Sequence, residues 1–277
     1  MSDNPPADVP LRRPHRIRTA AFFDLDKTIL AKSSSLLFAR PFYKSGLISR
    51  ADVLKSGYAQ FVYLASGADH DQMEQMRAYL SALCRGWEVE KVSAIVDETL
   101  DQLVEPIIYA EAMTLIDEHR DAGRDIVIIS SSGTEVVEPI GDRLGADIAI
   151  GTQMQIVDGL YSGEILFYAY GEGKADAMRA LAAEHGYDLT ASYAYSDSAT
   201  DLPMLDLVGR PVAVNPDAEL RRIAEERGWP IRDFEKPIAM RSRLGAPETK
   251  RAAGAAGVAL GAAALGVAWY AARRRPR

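Results

Sequence analysis

Asp24 and Asp26 stand two residues apart where the apolar run Ala20 to Asp24 ends. In an extended strand such residues project from the same face, so both carboxylates would enter one pocket. Like charges held that close repel, and a divalent cation is the simplest way to keep Asp24 ionised. Alone, an acidic pair also reads as a helix cap or a solvated turn. The segment Ser130-Ser131-Ser132-Gly133-Thr134-Glu135 follows a second apolar run, and Ser132 and Glu135 have capping-box spacing. Free amides and hydroxyls at a helix start also seat phosphate oxygens, so both readings stand there. Gly171-Glu172-Gly173-Lys174 delivers a lysine to the start of a helix, where the helix dipole disfavours a cation unless an anion lies near. A plain surface lysine is the competing reading. Tyr195-Ser196-Asp197, followed by Asp201, is another strand end entering a helix. An aspartate opposite Asp24 would suit magnesium, which takes a few carboxylates together with waters and phosphate oxygens.

All four segments fall at the carboxyl ends of strand-like runs or just beyond them, where open α/β sheets bind ligands. Together they offer a carboxylate nucleophile, a second acid, metal ligands, and hydroxyl and ammonium groups for a phosphoryl dianion. Those are the parts needed for transfer through an aspartyl-phosphate.

The elements that must position these groups are legible as a rhythm. Apolar runs at Ala20–Asp24, Asp125–Ile129, Ala146–Ile150, Ser192–Tyr195 and Pro211–Val214 suit strands buried on both faces. Helical patterns, including Glu135–Leu144 and Lys174–His185, lie between the later runs. This alternation predicts an α/β fold, a doubly wound parallel sheet. Gln153–Val157 and Leu160–Leu166 flank Asp158-Gly159, so a β-hairpin is expected as an insertion after the third strand. Residues 33–105 are rich in Leu, Tyr, Met and Ala with helical periodicity, too long for a crossover, and read as an inserted helical domain. Pro106–Ala122 reads as the helix returning to the sheet and ending near Gly123. The catalytic core is then 19–32 and 106–235, preceded by a disordered arm over 1–18.

The net charge of −7 conceals two different objects, because the segment from Lys236 onward carries nine Lys/Arg and one acid. The body before it holds 23 basic and 38 acidic residues, a balance that argues against nucleic acid as a partner. Cys84 is the only cysteine, so the chain contains no internal disulfide, and a buried, inert thiol is expected. His15, His70, His119 and His185 show no metal-ligand spacing.

Asp24-x-Asp26-x-Thr28, then Ser130, Lys174 and Asp197 with Asp201, resemble in order and spacing the four motifs of the haloacid dehalogenase superfamily, over roughly residues 19–235. The helical insertion looks like that family's class I cap, and the hairpin with Gly171–Lys174 looks like its phosphoserine-phosphatase-like branch. The resemblance implies a Rossmann-like core and a Mg2+-dependent phosphatase acting on a small phosphomonoester. Asp24 would be the nucleophile and Asp26 the general acid, then base. Thr28 would position Asp26 and, with Ser130, Ser131 and Lys174, line the phosphoryl seat. Asp24, the backbone carbonyl of Asp26 and Asp197 would hold the metal, with Asp201 supporting the metal shell or Lys174. Ser196-Asp197-Ser198 departs from the glycines that phosphoserine phosphatases have around this aspartate, so the substrate does not carry over. A phosphotransferase or mutase on the same site is the nearest alternative reading; a catalytically silent interaction protein is the other.

Ala252–Ala272 is a 21-residue run without a charge, long enough to span a bilayer at about 1.5 Å per residue. Trp269-Tyr270 and the arginines from Arg273 fit an interfacial end, and Gly257 with Gly261 could let two such helices pair as a homodimer. With 236–251 as a basic linker and no secretory signal at the amino end, the expectation is a cytoplasmic catalytic body held at a membrane by its carboxyl-terminal helix.

Overall fold

The computed structural model describes residues 18–49, 77–78 and 81–235. Within them the elements run β1 (Ala20–Phe23), α1 (Ser34–Lys44), α2 (Val89–Leu103), a 3-10 turn at Glu105–Ile107 and α3 (Ala110–Asp121). Then follow β2 (Asp125–Gly133), α4 (Thr134–Leu144), β3 (Ile148–Val157), β4 (Leu160–Phe167), α5 (Glu172–His185) and β5 (Tyr193–Ser196). The chain continues through α6 (Leu202–Leu205), β6 (Arg210–Val214), α7 (Ala218–Arg227) and β7 (Ile231–Arg232). The strands form one sheet in the order β4-β3-β2-β1-β5-β6-β7, parallel except for the β3–β4 pair.

β1 occupies the centre because all four of its residues are apolar, and the sheet buries them from both sides. Its side chains alternate between two cores. Ala21 and Phe23 join Ile126, Ile128, Ile116 of α3 and Ile140 of α4 on one face. Ala20 and Phe22 join Val127, Ile129, Met178 of α5 and Leu220 of α7 on the other. Each fully buried Phe or Ile stabilises the sheet by about 2 kcal/mol. After β3 and β4 the chain returns to the opposite side of β1 to form β5, so the order reverses between β1 and β5. That reversal opens a crevice beyond their carboxyl ends.

The hairpin is real, but it is not a separate insertion. Ala146–Ile150 and Gln153–Val157 read as two segments in sequence, whereas β3 runs unbroken from Ile148 to Val157 and turns into β4 at Asp158-Gly159. Both turn residues have positive φ, 51° and 77°, as a two-residue I′ turn requires. β4 is an edge strand, and the chain before α2 covers part of it. Gly86 N–H donates to Tyr161 O (2.8 Å), Tyr161 N–H to Trp87 O (3.0 Å) and Val89 N–H to Gly159 O (3.0 Å).

The return helix is also shorter than Pro106–Ala122. Pro106 sits in the 3-10 turn and Ile108 is extended, so α3 begins only at Ala110. The two connections between core and insertion lie side by side, with Ala31 N–H donating to Ile107 O (2.8 Å) and Tyr109 N–H to Ile29 O (2.9 Å). α1 and α2 are the long helices described within the insertion. Most of residues 50–80, and the linker and apolar run over 236–277, lie outside the described residues, as does the arm before Arg18. The anchor helix at Ala252–Ala272 therefore has no structural counterpart here. No helix among the described residues is long and apolar enough to cross a membrane. Arg18, grouped with the arm in sequence, pairs with Asp125 at 2.5 Å and lies over the Tyr187 ring.

His119 and Cys84 have structural surroundings. Arg124 reaches His119 Nδ1 (3.2 Å), which leaves Nε2–H to donate to the Tyr195 hydroxyl (2.7 Å). Burial, reinforced by Arg124, lowers the imidazole pKa to about 4. Burial, then Glu135, pushes the half-buried Cys84 thiol up to about 12, so it stays protonated at neutral pH.

Candidate active site

The crevice between β1 and β5 collects the carboxylates. Asp24 is the first residue beyond β1 and its N–H still donates to Tyr195 O of β5 (2.9 Å), which pins it to the sheet. Its side chain is buried, with Oδ1 accepting from Lys174 Nζ (2.6 Å) and Oδ2 from the Thr28 hydroxyl (3.3 Å). Thr28 can reach back because the chain turns sharply after Asp26. Lys27 takes the left-handed conformation (φ 60°), and the Ile29 and Leu30 amides both donate to Leu25 O.

Lys174 is not a surface lysine: it is 3% exposed. Two glycines make that placement feasible. Gly171 has φ 53° and ψ −119°, a conformation open to glycine, and a Cβ on Gly173 would stand 2.1 Å from Tyr168 O. The tight turn lets α5 start at Glu172 and carry Lys174 inward from its first turn. The ammonium bridges Asp24 Oδ1 and Asp201 Oδ2 (2.7 Å), and Asp201 Oδ2 also accepts from the Ser196 hydroxyl (2.7 Å). Burial works against the charge on Lys174, but Asp201 and then Asp24 outweigh it, so its pKa is raised and it remains an ammonium. The anion that the helix start called for is thus two carboxylates.

Asp197 follows β5, is also buried, and lies 3.7 Å through Oδ2 from Lys27 Nζ. Burial raises its pKa well above the carboxylate range, and the charge of Asp24 adds to that. Burial likewise raises Asp24, with Lys174 opposing and Asp201 and Asp26 reinforcing. Lys174 alone therefore does not neutralise this acidic pocket. A divalent cation held by Asp24, Asp197 and the Asp26 carbonyl would, and so few protein oxygens suit Mg2+, which keeps waters and substrate oxygens in its shell. Among the described residues no group of three or more His, Cys, Asp or Glu side chains forms an all-protein cage. Asp201 is engaged behind Lys174, so of its two sequence roles the geometry favours support of the lysine.

Two sequence readings change. Ser132 does not cap α4: β2 continues to Gly133, which is itself the N-cap without a side-chain bond, and Ser132 Oγ instead meets Ser34 Oγ at 2.7 Å. Asp26 is not held by Thr28. Its Oδ1 accepts from the Ser34 N–H (2.8 Å), and its Oδ2 from the Ser34 (3.1 Å) and Ser33 (3.3 Å) hydroxyls. Burial raises the Asp26 pKa, and these donors, the Ser34 amide first, oppose the rise. Ser33 and Ser34 were missed because nothing in the run Ser33-Ser34-Ser35 marks it as more than a helix start. Ser130 is buried within β2, two residues past the partner of Phe23, and its Oγ accepts from the Ser132 N–H (3.3 Å). Ser131 is exposed and contributes its carbonyl to the Thr152 hydroxyl (2.8 Å).

The family model described as haloacid dehalogenase-like hydrolase matches residues 21–206, from β1 through α6. The chain belongs to the haloacid dehalogenase-like hydrolases. The inhibition of morphological differentiation protein of Streptomyces azureus is 62% identical, over 93% of this chain and 95% of its own. A probable phosphatase of Mycobacterium tuberculosis is 52% identical over 99% and 98% of the two chains. A crystal structure of a Bordetella pertussis protein of unknown function shares the fold with a TM-score of 0.69 at 28% identity, covering 78% of this chain and 99% of its own. A phosphoserine phosphatase carrying a phospho-aspartyl intermediate analogue shares it at 0.56 and 19% identity, covering 83% and 98%. This haloacid dehalogenase-like hydrolase is an enzyme of the phosphatase kind.

Proposed function

We propose that the protein hydrolyses a small phosphomonoester through a phosphorylated Asp24. The observation that carries this reading is the placement of Lys174 Nζ within 2.7 Å of both Asp24 and Asp201, in a crevice that Asp197 also enters. Mg2+, held by Asp24, Asp197 and the Asp26 carbonyl, would supply positive charge for the phosphoryl oxygens and the two buried carboxylates.

Asp24 attacks phosphorus, and an Asp24 oxygen–phosphorus bond forms as the bond to the leaving alcohol breaks. Asp26 gives its proton to that leaving oxygen. In the second half, Asp26 takes a proton from water as the water oxygen bonds to phosphorus and the Asp24 bond breaks, releasing phosphate. Lys174 and the Ser130 hydroxyl hold the phosphoryl oxygens, with Thr28 beside the nucleophile and Ser131 at the rim. The names of two relatives support a small substrate: a phosphoserine phosphatase of M. tuberculosis at 37% identity and a histidinol-phosphatase of Neisseria meningitidis at 32%.

The test is phosphate release from a phosphomonoester panel in Mg2+ and after chelation, with and without an acceptor alcohol. Release that depends on Mg2+ and disappears in Asp24→Asn is the expected result. Transfer to the alcohol in place of water would make the protein a phosphotransferase, and no turnover of any member would defeat the reading. The apolar run Ala252–Ala272 completes the proposal as a membrane anchor. Deleting 251–277 is expected to move the protein from membranes to the soluble fraction, and unchanged partitioning would defeat that part.

A further inference from the structure

Asp26 does two opposite proton transfers in the proposed cycle, yet it lies beyond β1 in a turn, where the sheet no longer fixes its side chain. Among the described residues, every hydrogen bond to its carboxylate comes from the start of α1. Ser34 supplies two of the three: its amide holds Oδ1 at 2.8 Å and its hydroxyl Oδ2 at 3.1 Å. Ser34 is fully buried, and its hydroxyl is fixed from the other side by Ser132 Oγ at 2.7 Å. With the Ser34 proton directed at Asp26, Ser132 is the donor to Ser34.

We propose that Ser34 is a positioning residue for Asp26, holding its carboxyl toward the leaving-group oxygen through a chain of hydroxyls that runs from the end of β2. This rests on the phosphatase reading above. The chemistry asks for such a residue, because Asp26 must keep one lone pair turned to the leaving oxygen while the rest of its carboxyl is held. Once Asp26 has given its proton to the leaving oxygen, Ser34 Oγ–H donates to the new carboxylate, and the proton taken from water returns to that same lone pair. The Ser34 amide stays on Oδ1 throughout, so the carboxyl keeps its orientation, and an error of about 1 Å there would lower the rate on the order of a hundredfold. The start of the inserted segment, the acid–base group and the phosphate-seating end of β2 thereby share one hydrogen-bonded chain.

A purely structural alternative is that Asp26 caps α1 and Ser34 merely completes the cap. Leaving-group dependence separates the two. Single-turnover phosphorylation of full-length protein in Mg2+ is measured with 4-nitrophenyl phosphate, whose leaving group needs little protonation, and with phenyl phosphate, whose leaving group needs more. For Ser34→Ala the expected loss is about ten- to a hundredfold with phenyl phosphate, the equivalent of one hydrogen bond to a charged group. With 4-nitrophenyl phosphate it is less than about threefold on the same argument. KM stays near the wild-type value, and Ser34→Thr, which restores a hydroxyl, recovers most of the rate. Ser132→Ala, which removes the hydroxyl behind Ser34 and no donor to Asp26 itself, is expected to show the same selectivity at smaller amplitude. Equal losses with both esters, or none, would overturn the proposal while leaving the phosphatase reading intact. Wild-type protein that turns over neither ester would overturn both.

Discussion

Replacing Lys174 with methionine tests the centre of the site, because methionine keeps much of the side chain's length and volume and removes the charge with its N–H donors. In the wild type the ammonium stands 2.6 Å from Asp24 and 2.7 Å from Asp201, with all three side chains less than a tenth exposed. Removing one partner from a buried ion pair leaves an uncompensated charge and costs about 3–5 kcal/mol. In urea, at about 3 kcal/mol per molar, that lowers the unfolding midpoint by roughly 1 M or more. The loss should depend on pH in a defined direction. Without the ammonium, the Asp24 carboxyl, already raised by burial, rises further. A carboxyl whose folded pKa exceeds its unfolded value favours the fold at low pH and loses that advantage as pH rises through the folded pKa. The Lys174 contribution, with its pKa raised, is complete throughout neutral pH. The gap between wild type and Lys174→Met should therefore widen from pH 5 to pH 8. Adding Asp201→Asn should recover part of the stability and none of the activity, with kcat/KM down by about 10² to 10³ in both variants. A Lys174→Met protein with a wild-type midpoint at pH 8, or with activity within tenfold, would refute the buried bridge.

Three further outcomes follow from other parts of the molecule. Asp24→Asn is expected to abolish turnover without unfolding the protein, as judged by circular dichroism, because Lys174 keeps Asp201 as a partner, whereas Asp26→Asn should still accumulate phosphoenzyme from an ester with a good leaving group, visible by rapid quench. His119 has its folded pKa lowered to about 4, so its stabilisation is complete above the unfolded value of about 6.5 and is lost as pH falls through the folded one. Relative to pH 8, stability at pH 5 should fall by up to about 2 kcal/mol through this group, and His119→Gln should flatten that acid limb in denaturant titrations. Gly173→Ala drives a Cβ toward Tyr168 O, 2.1 Å away, and should destabilise by about 2 kcal/mol or more. It should also lower kcat by displacing Lys174; a variant with wild-type stability and rate would contradict the tight turn.

Much of this architecture is readable from residue order, for one reason. Strands buried on both faces are short apolar runs, and a doubly wound sheet places ligand groups at their carboxyl ends. Ala20–Phe23 and Tyr193–Ser196 are such runs, and Asp24 and Asp197 follow them directly. The Asp158-Gly159 turn is equally local, since both positions need positive φ. The misreadings concern contacts between segments distant in sequence. Ser132 and Glu135 have capping-box spacing, yet β2 continues to Gly133 beside β3, and the sheet wins over the cap. The helix start predicts an anion beside Lys174, but that the anion is Asp24 and Asp201 depends on the approach of α5 to β1.

Residue spacing by itself determined which side chains could reach the crevice, because periodicity within a strand and glycines before a helix are properties of neighbouring residues. Tertiary structure alone decided their partners. Thr28 serves Asp24 and not Asp26, Asp201 stands behind Lys174, and Ser34, with Ser132 at its back, holds Asp26. A hydrogen bond depends on a few tenths of an ångström and on direction, and between residues 98 or 150 positions apart those are set by how the sheet packs its helices.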